Sequence, residues 1–280
     1  MQIGIFTRVF RRPTLAETLD AVQAAGLGAV QFDLECAGLP GLPQQLDPEV
    51  TARISAAFRE RGITMAAVSG TYNIIHADPQ QRAAGLRGLR TLAGACEALG
   101  TRVITLSTGT RNRENMWRAH PDNGTPEAWE EAAAALREIA AIGAEHGVTM
   151  AFEPEVNNVV DSARRSRRML DEVGSPFLKV VMDGANIFHA GELPSMAQVL
   201  DEAFALLGGD IALAHAKDLD HDGDAGHLPA GHGLLDYARY LRLLHASGYS
   251  GAVVLHGLEE EHVAGCVAFL ERQFAALAPS

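Results

Sequence analysis

The chain has 280 residues, 47% of them hydrophobic, which is enough to bury the core of one large α/β barrel or of two small domains. Its formal net charge of −12 argues against nonspecific nucleic-acid binding, which needs clustered lysines and arginines to displace phosphate counterions. No apolar run approaches a membrane span, and three widely spaced cysteines without a CxxC pair predict reduced thiols in a cytoplasmic protein.

Strand-like and helix-like segments alternate along the whole chain. The first strand segment begins at the second residue and is followed by arginines, which is not the pattern of a secretory signal peptide. The predicted strands are mostly apolar or β-branched, as strands buried on both faces should be. They are Gln2–Thr7, Ala29–Leu34, Thr64–Ser69, Arg102–Ser107, Thr149–Glu153, Lys179–Asp183, Ala212–His215 and Ala252–His256.

The amphipathic segments between the strands are typical of helices, and most of them end just before a glycine, a common helix terminator. They are Thr14–Ala25, Asp47–Arg61, Pro79–Leu99, Pro126–His146, Ser162–Glu172, Ser195–Leu207, Asp236–Ala246 and Glu259–Leu277. Eight βα units joined by right-handed crossovers predict a single (β/α)8 TIM-barrel domain over residues 1–280. A doubly wound open sheet is the alternative, but it usually carries a glycine-rich phosphate loop after its first strand, and none follows here.

Four strand segments in the second half of the chain end in residues of the types that bind metals, namely Glu153, Asp183, His215 and His256. The carboxyl ends of the strands of a parallel barrel meet at one rim, so we expect these side chains to lie close together. A lone carboxylate at the end of a buried apolar run would be costly without a partner. The pattern therefore predicts one divalent cation at this rim.

The motifs around these strand ends resemble those of the xylose isomerase-like TIM barrels, a superfamily of sugar (phosphate) isomerases and epimerases. They are Phe152-Glu153-Pro154-Glu155, Met182-Asp183-Gly184-Ala185-Asn186, His215-Ala216-Lys217-Asp218, Gly231-His232-Gly233 through Asp236-Tyr237, and Gly248-Tyr249-Ser250-Gly251. The resemblance covers nearly the whole chain and implies a metal held by Glu153, Asp183, His215 and the eighth-strand residue. Relatives carry a glutamate there, so His256 is a departure. Its imidazole favours Mn²⁺ or Zn²⁺, with Mg²⁺ and Co²⁺ as further candidates.

The resemblance also implies a reaction, the isomerisation or epimerisation of a small sugar, keto-sugar or sugar acid, with or without a phosphate group. In that chemistry a base removes the proton α to a metal-polarised carbonyl, which gives an enediolate, and a second group can act on the opposite face. Glu153 is the first candidate base, and His256, Lys217 and Glu155 are candidates for the second group. Relatives further imply a homodimer or homotetramer.

The first four strands should line the pocket for this sugar-like substrate. Arg8 and Arg111 could grip an anionic group, and Lys217 could bind a phosphate or carboxylate or else pair with Asp218. Trp117 could stack on a sugar ring. Glu35, Asn73 and His76, after strands two and three, are further predicted substrate-binding residues, and the resemblance adds Asn186 after strand six.

Other functions stay open on the same scaffold. Elimination needs no base on the opposite face, so the His256 departure makes an inosose-type dehydratase the main alternative. A phosphodiesterase resembling endonuclease IV is less favoured, because strands two and three lack the extra histidine ligands that it needs. A barrel that only binds a ligand is a further alternative. His221, His227 and His232 hint at a second metal, although a solvated turn is the simpler interpretation.

Overall fold

In the computed structural model, which describes residues 1–277, eight parallel strands form a closed barrel surrounded by eight α-helices. The strands are β1 (Gln2–Phe6), β2 (Ala29–Phe32), β3 (Thr64–Ser69), β4 (Val103–Ser107), β5 (Thr149–Glu153), β6 (Leu178–Asp183), β7 (Ile211–Asp218) and β8 (Ala252–Leu255). Each pairs in parallel with its neighbours in chain order, and β8 pairs with β1 to close the ring. The predicted (β/α)8 TIM-barrel fold is confirmed, while residues 278–280 of the predicted domain lie outside the described part.

The helices begin and end close to the predicted residues. They are α1 (Leu15–Ala24), α2 (Pro48–Glu60), α3 (Pro79–Leu99), α4 (Pro126–His146), α5 (Ala163–Val173), α6 (Met196–Leu207), α7 (Tyr237–Ala246) and α8 (Val263–Ala275). Thr14 caps α1 in a capping box, and Asp78 and Thr125 cap α3 and α4 just ahead of a proline. Gly100 and Gly147 follow α3 and α4 with φ of 88° and 65°, a left-handed conformation that glycine adopts without steric cost.

The loop after β7 differs from the prediction. β7 runs on to Asp218 instead of ending at His215, because Lys217 and Asp218 pair with a two-residue antiparallel strand, Leu228–Pro229. The buried Asp218 carboxylate also accepts hydrogen bonds from three backbone N–H groups of the loop, those of Leu219, Gly231 and Leu235. This carboxylate therefore folds the loop back over the rim of the barrel.

The inside of the barrel has an apolar floor made of small and branched side chains. These belong to Ala29, Ala67, Ala151, Val181, Leu213, Ala252 and Val254, which form a cluster separate from the larger core. Successive side chains of a strand point to opposite faces, so the residue two positions further along points into the barrel one layer higher. Glu153, Asp183, His215 and His256 each stand two positions after a member of this floor. Strand periodicity therefore brings all four into the same space.

The helices and the cysteines of the described part agree with what the sequence predicts about membrane spans and thiols. No helix within residues 1–277 combines the length and the hydropathy that crossing a bilayer requires. All three cysteines lie in this part of the chain, and none of them is bonded to another. Burial raises the pKa of the Cys96 thiol to about 12, so this cysteine behaves as an inert core residue.

Tyr240 of α7 ties two of the site-bearing strands together, since its buried hydroxyl lies 2.9 Å from the carbonyl oxygens of both Met182 and His215. We predict that Tyr240→Phe lowers the free energy of unfolding by about 1–3 kcal/mol, because two buried carbonyls lose the donor that they share. Urea denaturation measures this change. Tyr72→Phe is the matched control, because within residues 1–277 its hydroxyl makes no hydrogen bond. Equal stability of Tyr240→Phe and the wild type would contradict the role assigned to Tyr240.

Candidate metal centre and substrate cavity

Three of the four predicted ligands converge at the carboxyl rim of the barrel. Glu153, Asp183 and His215 each offer one ligand atom, and these atoms all lie within 4.8 Å of one another. The register of β6 and β7 places Asp183 opposite His215, and Glu153 ends the neighbouring strand β5. His215 Nδ1 lies 3.3 Å from Glu153 Oε1 and 3.7 Å from Asp183 Oδ2. Two carboxylates and an imidazole are ligand types that Mn²⁺ and Zn²⁺ accept.

Gln31 determines which nitrogen of His215 faces the two carboxylates. Gln31 Oε1 lies 2.7 Å from His215 Nε2, and Gln31 Nε2 donates to Thr105 Oγ1 at 3.1 Å. This chain of hydrogen bonds keeps a proton on Nε2 of His215, so Nδ1 is the nitrogen whose lone pair becomes available to a cation when the ring is neutral. Among residues 1–277, the buried Asp183 Oδ2 finds no hydrogen-bond partner. An oriented imidazole beside an unsatisfied carboxylate oxygen fits a metal site, because such an oxygen is otherwise costly to bury.

Buried charges of both signs are balanced around this point. Burial would raise the pKa of Asp183, but Lys217 and His215 outweigh it and hold that pKa well below its usual range. Burial would lower the pKa of His215, but Glu153 and Asp183 raise it to about 9. Lys217 Nζ lies 3.6 Å from Asp183 Oδ2, and the carboxylates around it raise its pKa in spite of burial. Two carboxylates therefore face two protonated bases.

Asn186 and Glu155 both interact with the Glu153 carboxylate, the first by a hydrogen bond and the second through its charge. Asn186 Nδ2 donates to Glu153 Oε1 at 2.7 Å, and Asn186 Oδ1 accepts from the backbone N–H of Gly226, so Asn186 connects Glu153 to the loop after β7. Burial and the charge of Glu153 raise the pKa of Glu155 to about 8. Its Oε1 is buried and has no hydrogen-bond partner in the described part of the chain. A carboxyl group that keeps its proton near neutral pH beside a carboxylate is a candidate acid.

His256 lies beside the three converging groups and is not one of them. Its ring stacks on the His215 ring, with centroids 4.7 Å apart and planes 6° apart, and also on Phe6 at 5.2 Å. In this arrangement His256 presents a ring face to His215. The ligand atoms that lie within 4.8 Å of one another belong to Glu153, Asp183 and His215. Burial and the positive charges of His215 and Lys217 hold the pKa of His256 well below its usual range. His256 is therefore a neutral imidazole, and its role as fourth ligand stays a prediction.

A cavity of about 470 Å³ adjoins the three ligands, a volume typical of sites for small molecules. Several predicted catalytic and substrate-binding residues line it, namely Arg8, Trp117, Glu153, Glu155, Lys217 and His256. Arg8 Nη1 lies 3.5 Å from Asp33 Oδ2, and Arg8 Nη2 lies 3.7 Å from Glu35 Oε2. Trp117 is 51% exposed, which leaves a face of its indole ring free to stack on a sugar.

Five other predicted substrate-binding residues are not part of the cavity wall, namely Glu35, Asn73, His76, Arg111 and Asn186. Asn73 is buried and exchanges two hydrogen bonds with the backbone of Thr110. His76 accepts a hydrogen bond from a backbone N–H of its own loop, and Arg111 pairs with Glu131 of α4 at 2.8 Å. These hydrogen bonds hold the loops after β3 and β4 in place, so the structure directs Asn73, His76 and Arg111 toward the protein.

Polar residues that were not predicted from the sequence also line the cavity, namely Gln31, Ser69, Thr71, Thr105, Asn157, Asp224 and His227. Asn157 Nδ2 donates to Asp224 Oδ1 at 2.6 Å and to the backbone carbonyl of Trp117 at 3.2 Å, which links three loops. Gln31 had a sequence signal, because it is the polar residue of the otherwise apolar strand β2. The loop residues had none, since loop conformation follows no periodic pattern.

Known proteins share this fold. The family model described as xylose isomerase-like TIM barrel matches residues 19–271. The structure resembles 3-keto-D-glucoside 4-epimerase from E. coli, with TM-score 0.73, 19% identity, and coverage of 97% of this chain and 99% of that chain. It also resembles D-psicose 3-epimerase from Clostridium cellulolyticum H10, with TM-score 0.74, 18% identity and 100% coverage of both chains. The structure further resembles a probable 3-DHS dehydratase from Bacillus anthracis, with TM-score 0.74, 15% identity, and coverage of 97% of this chain and 99% of that chain.

These identities are low enough that the likeness to solved structures shows a shared fold and nothing finer. No curated sequence matches the chain. The family match covers most of the barrel, including β5 to β8 with the three converging ligands.

We predict that Gln31→Leu weakens the binding of Mn²⁺ or Zn²⁺ by about 10–100-fold, because His215 loses the acceptor that orients its ring. Gln31→Glu is the matched control, since it keeps an acceptor at the same position and should retain tight binding. Isothermal titration calorimetry on metal-free protein measures both affinities, and circular dichroism checks the fold. Equal affinities of Gln31→Leu and the wild type would show that Gln31 does not set the His215 tautomer.

The affinity for the cation should also rise with pH up to about 9, because binding must displace the proton that His215 carries below its pKa. A proton that competes with the metal lowers the affinity as the pH falls. Between pH about 7 and pH 9 we expect about a tenfold gain in affinity per pH unit and the release of about one proton per ion. Calorimetry in buffers of different ionisation enthalpy counts that proton. An affinity that stays constant over this range would contradict the prediction.

Proposed function

Because the chain belongs to the xylose isomerase-like TIM-barrel family, we propose that it is a divalent-metal-dependent isomerase or epimerase of a small sugar, keto-sugar or sugar acid. The observation that carries this proposal is the convergence of Glu153, Asp183 and His215 beside a cavity of small-molecule size. Two proteins of the same fold are sugar epimerases, which supports the same class of reaction.

The donor set determines which cation this site would take. Glu153 and Asp183 would supply carboxylate oxygens, and His215 would supply Nδ1. The imidazole favours Mn²⁺ or Zn²⁺, and the two carboxylates also suit Mg²⁺ and Co²⁺. Three protein ligands leave coordination positions open, as in catalytic sites. When bound, the cation would polarise the carbonyl of the substrate and stabilise the negative charge that develops on its oxygen.

Glu153 is the residue that we assign as the base. Its side chain is 16% exposed and lines the cavity, whereas the Asp183 side chain is fully buried, so Glu153 is the carboxylate that a substrate carbon can approach. Asn186 and His215 both engage Oε1. The other oxygen, Oε2, would then take the proton α to the carbonyl.

Lys217, Glu155 and His256 form the rest of the proposed machinery. Lys217 places a buried ammonium group on the cavity wall, where it would bind a carboxylate, phosphate or developing oxyanion of the substrate. Glu155 keeps a proton near neutral pH and would donate it. His256 is a neutral imidazole on the same wall, so it can either accept or donate a proton. We assign the second proton transfer to His256, with Glu155 as the alternative.

Hydrogen exchange tests the reaction class directly. The metal-loaded enzyme is incubated with a panel of sugars and sugar acids in deuterated water, and NMR monitors exchange at the carbon next to the carbonyl. We expect Glu153→Gln to slow this exchange by about 10²–10⁴-fold, the usual contribution of a positioned base. Glu60→Gln, an exposed carboxylate of α2, is the matched control and should exchange at the wild-type rate. The proposal fails if no sugar shows metal-dependent exchange with the wild type.

His256 is also the observation that favours a second candidate function, an inosose-type dehydratase. Its family counterpart is a glutamate, and elimination of a β-hydroxyl requires no base on the second face. One protein of the same fold is a probable dehydratase. Mass spectrometry of the product separates the two reactions, because elimination releases water and isomerisation keeps the mass unchanged.

For the isomerase or epimerase, we predict that His256→Ala slows product formation by about tenfold or more, while exchange of the α-hydrogen by Glu153 continues. The two rates should respond differently because exchange of the α-hydrogen needs only the base Glu153, whereas product formation also needs a second group to return the proton. His245→Ala, a solvent-facing histidine of α7, is the control. If exchange and product formation fell by the same factor, His256 would not act in the second transfer.

A further inference from the structure

A second group of metal-binding side chains lies in the loop after β7, outside the central site. Asp220, His221 and His227 each offer one ligand atom, and these atoms all lie within 4.8 Å of one another. Asp220 Oδ1 lies 2.5 Å from His221 Nδ1 and 3.3 Å from His227 Nε2. The two imidazole rings have centroids 4.9 Å apart and planes inclined by 43°. The three groups therefore already surround one point.

Hydrogen bonds elsewhere in the loop hold this group in place. Asp222 Oδ2 accepts from the backbone N–H groups of Gly191 and Leu193, at 3.0 and 2.8 Å. Asp224 accepts from Asn157 at 2.6 Å, so the loop is anchored at two positions between His221 and His227. These contacts order the loop without involving Asp220, His221 or His227. Binding of an ion would therefore not carry the conformational entropy cost of ordering the loop.

We propose that Asp220, His221 and His227 form a second divalent-metal site, selective for Zn²⁺, Ni²⁺ and Co²⁺ over Mg²⁺ and Ca²⁺. Two imidazoles and one carboxylate are a common ligand set for these borderline ions, whereas Mg²⁺ and Ca²⁺ prefer shells made of oxygen. The three side chains are between 45% and 58% exposed, so water completes the coordination shell.

The two sites differ in ways that allow them to be told apart. The central site is buried, has two carboxylates among its ligands and has Lys217 beside it. The loop site is exposed and has two imidazoles, so a chelator should remove its ion first. His227 also lines the cavity, and an ion at the loop site would hold this part of the cavity wall in one position.

The test counts bound ions on full-length protein without a histidine tag. The protein is dialysed against Zn²⁺ and analysed for metal content. We expect two ions on the wild type, one on His221→Gln/His227→Gln and one on Glu153→Gln/Asp183→Asn. His232→Gln is the matched control, because His232 lies in the same loop and outside the cluster, and it should keep two ions. Dialysis against Mg²⁺ should leave the loop site empty.

Two results would overturn the proposal. One is a wild type that binds a single ion, lost in Glu153→Gln/Asp183→Asn. The other is a second ion that persists in His221→Gln/His227→Gln. Asp220→Asn gives an independent check that leaves both imidazoles in place, and it should weaken zinc binding at the loop site by about tenfold or more. Circular dichroism of each variant confirms that the barrel is folded.

Discussion

The candidate site depends on one electrostatic constraint, the neutralisation of carboxylates where water cannot reach them. The side chain of Asp183 is fully buried, and that of Glu153 is largely so. Ionised groups are expensive to bury unless an opposite charge stands beside them. Here Lys217 and protonated His215 supply that charge. The same pair of carboxylates can accept a divalent cation once His215 gives up its proton, so the protein is already arranged around positive charge.

This arrangement follows from the geometry of strands. A floor of alanine, valine and leucine fills the inside of the barrel, and the next inward-facing residue on β5, β6 and β7 is a ligand type. Backbone hydrogen bonds fix the spacing of neighbouring strands, and the register of β6 and β7 sets Asp183 directly opposite His215. Gln31 belongs to the same layer, since it follows Ala29 by two positions on β2. The hydrogen bond that orients the imidazole is therefore produced by the same periodicity as the ligands.

The features that repeat along the chain could be predicted from the sequence. Apolar runs predicted the strands, and helical periodicity with caps and glycines predicted the helices. The carboxylate or imidazole at the end of three apolar runs predicted that Glu153, Asp183 and His215 lie close together. The extension of β7 could not be predicted, because it depends on Leu228–Pro229 folding back across a long loop. The same holds for Asn73, His76 and Arg111, whose positions depend on hydrogen bonds within loops. His256 lay at the predicted strand end, but the stacking of its ring depends on Phe6 and His215 from other strands.

The two tryptophans of the chain sit in very different surroundings. Trp117 stands on the cavity wall with half of its surface open, whereas Trp129 is buried on α4 beneath the guanidinium groups of Arg165 and Arg168. Indole fluorescence is sensitive to polarity and to contact with ligands, so emission from Trp117 should report on what enters the cavity. Emission from Trp129 should stay constant and act as an internal reference. The chain therefore carries its own optical probe for detecting a small molecule that binds in the cavity.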